Sequence, residues 1–233
     1  MMEGTSTILE SHRKQCVVFC HGFGFDASFW DALRPYFVGL DTFFLDLGYF
    51  SEMHEAFSQY SCWAKAQPTD TDFIGVGHSI GLIKLLSLNI SFKYLVGLHG
   101  FVNFLGEDAA LHRRRQRELS VLTKHCMDSS ALTLQAFYQR AGVDFTAPLG
   151  HLNQQRLLDD LALLAHPIPI PKNIPLLILG SNDDKITPPA LLLDNFAGHQ
   201  QVTVEILDQV QHGLGYLKPA EVYQRIMRFL EEV

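Results

Sequence analysis

The sequence predicts an α/β fold with a mostly parallel central sheet flanked by helices. Three observations lead there. Short apolar runs closed by glycine or polar residues recur along the 233-residue chain. Helical patterns lie between several of them. One long interval holds no strand-like run.

The first run is CVVFC, residues 16–20, ended by His21-Gly22. TFFLDL (42–47), FIGV (73–76), YLVGL (94–98), IPLLIL (174–179) and VTVEIL (202–207) follow. Continuous apolar runs of this length read as strands buried on both faces. Ser28 to Phe37 and Pro188 to Phe196 are helix candidates between strands. Near the end of the chain, Val222, Ile226, Phe229 and Leu230 recur at helical spacing after Pro219, which suits a first helical turn. Such alternation packs helices on both faces of a parallel sheet. From about Phe104 to His166 there are only helical stretches: Ala109–Met127, Ser130–Ala141 and Asn153–Leu164, with breaks near Asp128 and at Gly142 to Gly150. The expected organisation is a core of residues 1–103 and 167–233, with a helical cap, 104–166, inserted between two strands. A cap there covers the C-terminal sheet edge, where open α/β folds bind ligands.

Composition narrows the function classes. With 47% hydrophobic and 18% charged residues the chain can bury a core. A formal net charge of −7 argues against broad nucleic-acid binding. The N-terminal MMEGTSTILESHRKQ lacks the basic start and apolar stretch of a leader, and no run reaches the ~18 apolar residues of a membrane span. A cytoplasmic protein is expected. Cys16, Cys20, Cys62 and Cys126 show no C-x-x-C pair and read as reduced thiols.

The chemistry is expected from loops after successive strands. Gly77-His-Ser-Ile-Gly81 fits G-x-S-x-G, with Phe73–Val76 strand-like before it and Ile80–Leu86 helix-like after it. Ser79 would then sit at a sharp strand-to-helix corner, where flanking side chains would crowd the turn. The N–H of Ile80 opens the helix and can point at an anion. Upstream, His21-Gly-Phe-Gly24 follows the first strand, and the N–H of Phe23 is the candidate second donor. Downstream, His212 stands after the last strand, and two aspartates, Asp183 and Asp184, follow the strand before it in GSNDDKITP. Asp183 is preferred as the acid for its distance from the strand end, with Asp184 the competitor.

These motifs, HGFG, GHSIG, GSNDDKITP and QHG, resemble in order and spacing those of the α/β-hydrolase superfamily across nearly the whole chain. The resemblance implies an α/β-hydrolase fold and a Ser79–His212–Asp183 triad. It further implies an oxyanion hole from the Phe23 and Ile80 N–H groups and acyl chemistry with no metal and no organic cofactor. The family's D-x-P-G-x-G-x-S loop is shortened here to Asp46-Leu-Gly-Tyr-Phe-Ser51. Within the superfamily, the chain is similar to the pimeloyl-acyl-carrier-protein methyl ester esterases of biotin synthesis. The arginine-bearing interval carries that likeness: Arg113, Arg114, Arg115 and Arg117, with Lys124, His125, Arg140 and Arg156 beyond. By that resemblance the four arginines meet an acidic acyl-carrier protein bearing the ester. The alternatives are a short-chain carboxylesterase or thioesterase, a menaquinone-pathway enzyme with the same triad, and a non-catalytic binding protein of this fold.

Overall fold

The computed structural model describes residues 13–51 and 56–233. Most of the N-terminal stretch MMEGTSTILESHRKQ, on which the absence of a leader was expected, lies outside the described residues. The sheet has six strands: β1 (Gln15–Cys20), β2 (Asp41–Leu45), β3 (Asp72–His78), β4 (Phe92–Leu98), β5 (Leu176–Ser181) and β6 (Val202–Leu207). Their order is β2-β1-β3-β4-β5-β6, and every pairing is parallel. Each apolar run of the sequence forms a strand at its place. The expectation of burial on both faces holds for the four inner strands. β2 and β6 are half-buried, since each lies at a sheet edge with one neighbour.

The order reverses between β1 and β3. Chains leaving those two strands diverge, which opens a crevice at their C-terminal ends. The loop after β1 and the corner after β3 both face that crevice. Seven helices are described: α1 (Ala56–Lys65), α2 (Ile80–Leu86), α3 (Ala109–Ala141), α4 (Gln154–Leu163), α5 (Pro189–Phe196), α6 (Leu214–Leu217) and α7 (Pro219–Glu232). In α7 the predicted stripe Val222, Ile226, Phe229 and Leu230 is buried, and Pro219 occupies the first turn. The expected helix over Ser28 to Phe37 is instead two short 3₁₀ turns, Ala27–Trp30 and Arg34–Phe37. Pro35 lies inside the expected helix and has no N–H to donate to its ladder.

Between β4 and β5 no strand intervenes. α3 runs 33 residues but departs from helical geometry at Ser129 (φ −162°, ψ 98°), beside the break expected near Asp128. It ends on Gly142 in the left-handed region. Side chains fasten this helical segment to the rest. The Tyr138 hydroxyl donates to the Gly24 carbonyl. The Phe25 ring packs within 6 Å of Phe29, His78, Phe137, Tyr138 and Phe145. Asp160 of α4 accepts from Tyr49 and from Lys84 of α2. Emptying such an aromatic cluster at Phe25 would cost about 3–5 kcal/mol.

Candidate active site

The corner after β3 is as tight as its glycines require. A Cβ on Gly77 would lie 2.5 Å from Leu82 N, and one on Gly81 would lie 2.2 Å from the Cys20 carbonyl oxygen. The elbow is thus wedged against the end of β1. Ser79 itself takes φ 55°, ψ −124°, a positive-φ conformation that costs a non-glycine residue about 1–3 kcal/mol. Its N–H donates to Leu98 O at 2.9 Å, and its own carbonyl accepts from Leu82 at 3.2 Å, which fix the strained turn from both sides.

The HGFG loop closes on the elbow. A Cβ on Gly22 would stand 3.2 Å from Ser79 Cβ and 2.6 Å from His78 Nδ1, so only glycine allows this approach. Phe23 lies within the turn closed by Phe25 N–H to Gly22 O, 3.3 Å. Ile80 is the first residue of α2, where backbone N–H groups have no helical acceptor. The shortened loop after β2 is held by its own side chains. Asp46 accepts from Gly48 N at 2.7 Å, and the Leu47 N–H donates to His21 Nε2 at 2.9 Å.

His212 is fully buried. Its Nδ1 is 2.7 Å from Asp184 Oδ2. Since a carboxylate only accepts, the proton sits on Nδ1, which leaves the lone pair on Nε2. That nitrogen has no hydrogen-bond partner among the described residues. The aspartate paired with His212 is therefore Asp184, and the expected pairing with Asp183 is corrected. Asp183 turns away and accepts the Gln209 N–H at 2.8 Å, bracing the turn before His212. The reason is local. Asp184 accepts on Oδ1 from the Ile186 and Thr187 N–H groups, at 2.6 and 3.0 Å, and on Oδ2 from the Thr187 hydroxyl at 2.7 Å. This turn rotates the second aspartate of the pair inward. Burial pushes the Asp184 carboxyl up. The facing His212 and His99 and the hydrogen bonds from His212 and Thr187 outweigh it and hold the group far below the ordinary carboxylate range.

The sequence reading missed His99. It follows β4, takes φ 52°, and stacks on the His212 ring at 5.2 Å and 19°. Its Nδ1–H donates to the His212 carbonyl at 2.8 Å, and the same carbonyl accepts from His78 Nε2–H at 2.9 Å. Two imidazoles thus anchor the backbone of a third. Burial first, and the neighbouring rings next, keep His78 neutral, well below the usual histidine range. Burial likewise takes His99 down to about 4. The only sequence signal was position, since His99 stands at the C-terminal end of a strand as Ser79 does.

Ring nitrogens of His78, His99 and His212 lie within 4.8 Å of one another, the one trio among the described residues with metal-ligand spacing. The carbonyl of His212 already takes an N–H from two of them. The remaining nitrogen of His99 faces Asp184 Oδ2 at 3.5 Å, on the Nδ1 side of His212 rather than at its open Nε2. The arrangement suits a histidine braced by two others better than a metal cradle.

The four candidate docking arginines do not form one patch. Arg113, Arg114 and Arg117 are exposed, whereas Arg115 is 3% exposed and points inward. Arg115 is thereby withdrawn from any docking surface, because its place on α3 faces Phe104 and the core.

This fold and constellation define a class. Residues 17–225 match the model of the alpha/beta hydrolase family, and the chain belongs to that family. No curated protein sequence matches it. Among solved structures it is similar to an esterase from Exiguobacterium antarcticum, at 13% identity and TM-score 0.72 over 94% of this chain and 92% of that one. It is equally similar to a bromoperoxidase from Bacillus anthracis, at 16% identity and TM-score 0.72 with the same coverage. MenH from S. aureus matches at 15% identity and TM-score 0.65 over 96% of each chain. At such identities the likeness is one of fold. Among the described residues no helix is long and apolar enough to cross a membrane.

Proposed function

We propose that the protein is a serine carboxylic ester hydrolase in which Ser79 is the nucleophile. His212 is the general base and Asp184 holds it in the working tautomer. The observation that carries this reading is the buried His212 with Nδ1–H fixed on Asp184 and Nε2 left open, its carbonyl bonded by His78, the residue before a serine held in a strained corner. Ser79 Oγ attacks the ester carbonyl as its proton passes to Nε2. The Phe23 and Ile80 N–H groups stabilise the tetrahedral oxyanion. The imidazolium then protonates the leaving alcohol, and water attacks the acyl-enzyme by the same route in reverse. The helical segment between β4 and β5 serves as the cap, since its Phe137 packs against both Phe23 and His212. For the specific substrate we propose the methyl ester of a pimeloyl chain on an acyl-carrier protein. The exposed Arg113, Arg114 and Arg117 are the cationic face an acidic carrier would meet. Fluorophosphonate labelling tests the chemistry: wild type is expected to label and Ser79→Ala not to. Equal labelling of both overturns the serine reading. Comparing carrier-linked pimeloyl methyl ester with a p-nitrophenyl ester of matched chain length tests the substrate. Equal efficiency, unaltered when Arg113, Arg114 and Arg117 become Glu, removes the carrier protein.

A further inference from the structure

His99 is fully buried and takes no part in the chemistry described above, yet it adopts φ 52°, a left-handed conformation that most side chains avoid. Its N–H donates to Leu179 O at 2.7 Å, which holds it at the end of β4, and the Thr187 hydroxyl lies 3.3 Å from its carbonyl oxygen. Held so, its ring stacks on that of His212.

One contact fixes where the His99 proton sits. Nδ1 lies 2.8 Å from the His212 carbonyl oxygen, which only accepts, so Nδ1 carries the hydrogen. Burial keeps the ring neutral, which leaves a lone pair on Nε2. That nitrogen faces Asp184 Oδ2 at 3.5 Å and has no hydrogen-bond partner among the described residues. Oδ2 already accepts from His212 Nδ1 and from the Thr187 hydroxyl, each at 2.7 Å. In the opposite tautomer the His99 Nε2–H would point at that oxygen and compete with His212 for it, while a lone pair would face the His212 carbonyl. The carbonyl of His212 thereby selects the His99 tautomer that does not compete for the carboxylate. His78 donates to the same carbonyl at 2.9 Å, but it is His99 whose other nitrogen faces Asp184.

We propose that His99 is a positioning residue for His212: its Nδ1–H holds the His212 backbone, and its bare Nε2 leaves the Asp184 oxygen to His212 alone. This role rests on the ester-hydrolase reading, in which His212 is the base. His99 touches no substrate and transfers no proton.

The test pairs two substitutions with histidine NMR on the whole protein. His99→Leu removes the Nδ1–H donor. His99→Asn keeps an N–H donor near the Nδ1 position, and asparagine tolerates the left-handed backbone. His99→Leu is expected to lower kcat on a p-nitrophenyl ester about tenfold per fluorophosphonate-titrated site, with KM changed less than about twofold, because a displaced base slows the chemistry without altering binding. His99→Asn is expected to return kcat to within about threefold of wild type. The low-field proton of His212 Nδ1–H is expected in wild type and His99→Asn, and shifted or lost in His99→Leu. The acid limb of kcat/KM is expected to stay in place in His99→Asn. Had His99 carried a charge, removing a cation 5.2 Å from the His212 ring would raise that limb by about two pH units at an effective dielectric near 20. Should His99→Leu not fold, ¹⁵N shifts of the wild-type histidines at pH 7.5 decide: His99 is expected neutral, with Nδ1 protonated and Nε2 bare. An unchanged kcat per titrated site in His99→Leu, no rescue by His99→Asn, a raised acid limb, or an Nε2-protonated His99 each overturns the proposal. Wild-type protein that does not label with the fluorophosphonate overturns the serine reading instead, and the NMR spectra, which need no turnover, still report on His99.

Discussion

The exchange of roles between adjacent aspartates makes a sharp prediction. Asp184→Asn is expected to lower kcat on a p-nitrophenyl ester about 10³- to 10⁴-fold, and Asp183→Asn to change it less than about threefold. The magnitude follows from the contacts. In the proposed mechanism His212 takes the serine proton and becomes an imidazolium 2.7 Å from the Asp184 oxygen. Opposite charges about 4 Å apart at an effective dielectric near 20 attract by about 4 kcal/mol, and each 1.36 kcal/mol is about a factor of ten in rate. Removing the charge therefore costs about three orders of magnitude. The amide adds to this, because an N–H group now facing Nδ1 favours the tautomer that spends the Nε2 lone pair. Asp183 makes one contact of a different kind, to the Gln209 N–H, and asparagine keeps the oxygen that accepts it. Its replacement costs at most about 1 kcal/mol of stability. The assay is steady-state hydrolysis with active sites counted by fluorophosphonate titration, so that misfolded protein does not enter kcat. Equal loss in both variants, or a loss under tenfold in Asp184→Asn, would refute the assignment.

Three further outcomes follow from the same structure. Ser79→Gly is expected to abolish hydrolysis yet raise the melting temperature by a few degrees, since glycine relieves about 1 kcal/mol of positive-φ strain; an unchanged or lower melting temperature contradicts the strain argument. Acid is expected to unfold the protein in stages. His99 is depressed in the fold, to about 4, so the unfolded chain takes up its proton first, and stability is full above about pH 6.5 and falls as pH drops toward 4, by about 3 kcal/mol from this group. The low Asp184 carboxyl acts in the same direction, its contribution being present above about pH 4 and lost below. Urea melts at pH 7.5, 6, 5 and 4 measure this, and His99→Gln should flatten the upper part of the curve. Asp160→Ala strands the Lys84 ammonium and the Tyr49 hydroxyl and is expected to cost about 3 kcal/mol by the same melts; a loss under about 1 kcal/mol would mean that this link does not hold α4 to the core.

What was legible in the sequence was what repeats along the chain. Six apolar runs became six parallel strands because burial on a sheet is read locally, one run at a time. The places of Ser79 and His212 were legible for a related reason: Ser79 directly follows β3, and His212 stands in the short loop between β6 and the next helix. The aspartate that pairs with His212 was not, because its loop carries Asp183 and Asp184 side by side, and which one turns inward depends on the Thr187 hydroxyl and two backbone N–H groups. His99 was hidden for a different reason. Its φ of 52° and its bond to the His212 carbonyl join residues 113 positions apart, so no local pattern announces them. The arginines show the same limit. HRRRQR reads as one basic patch, yet a helix turns successive residues by about 100°, so Arg115 is carried to the buried side while Arg113, Arg114 and Arg117 stay in solvent. Charge composition sees four equal cations. The helical period separates three that lie in solvent from one that is buried with its guanidinium over the Phe104 ring.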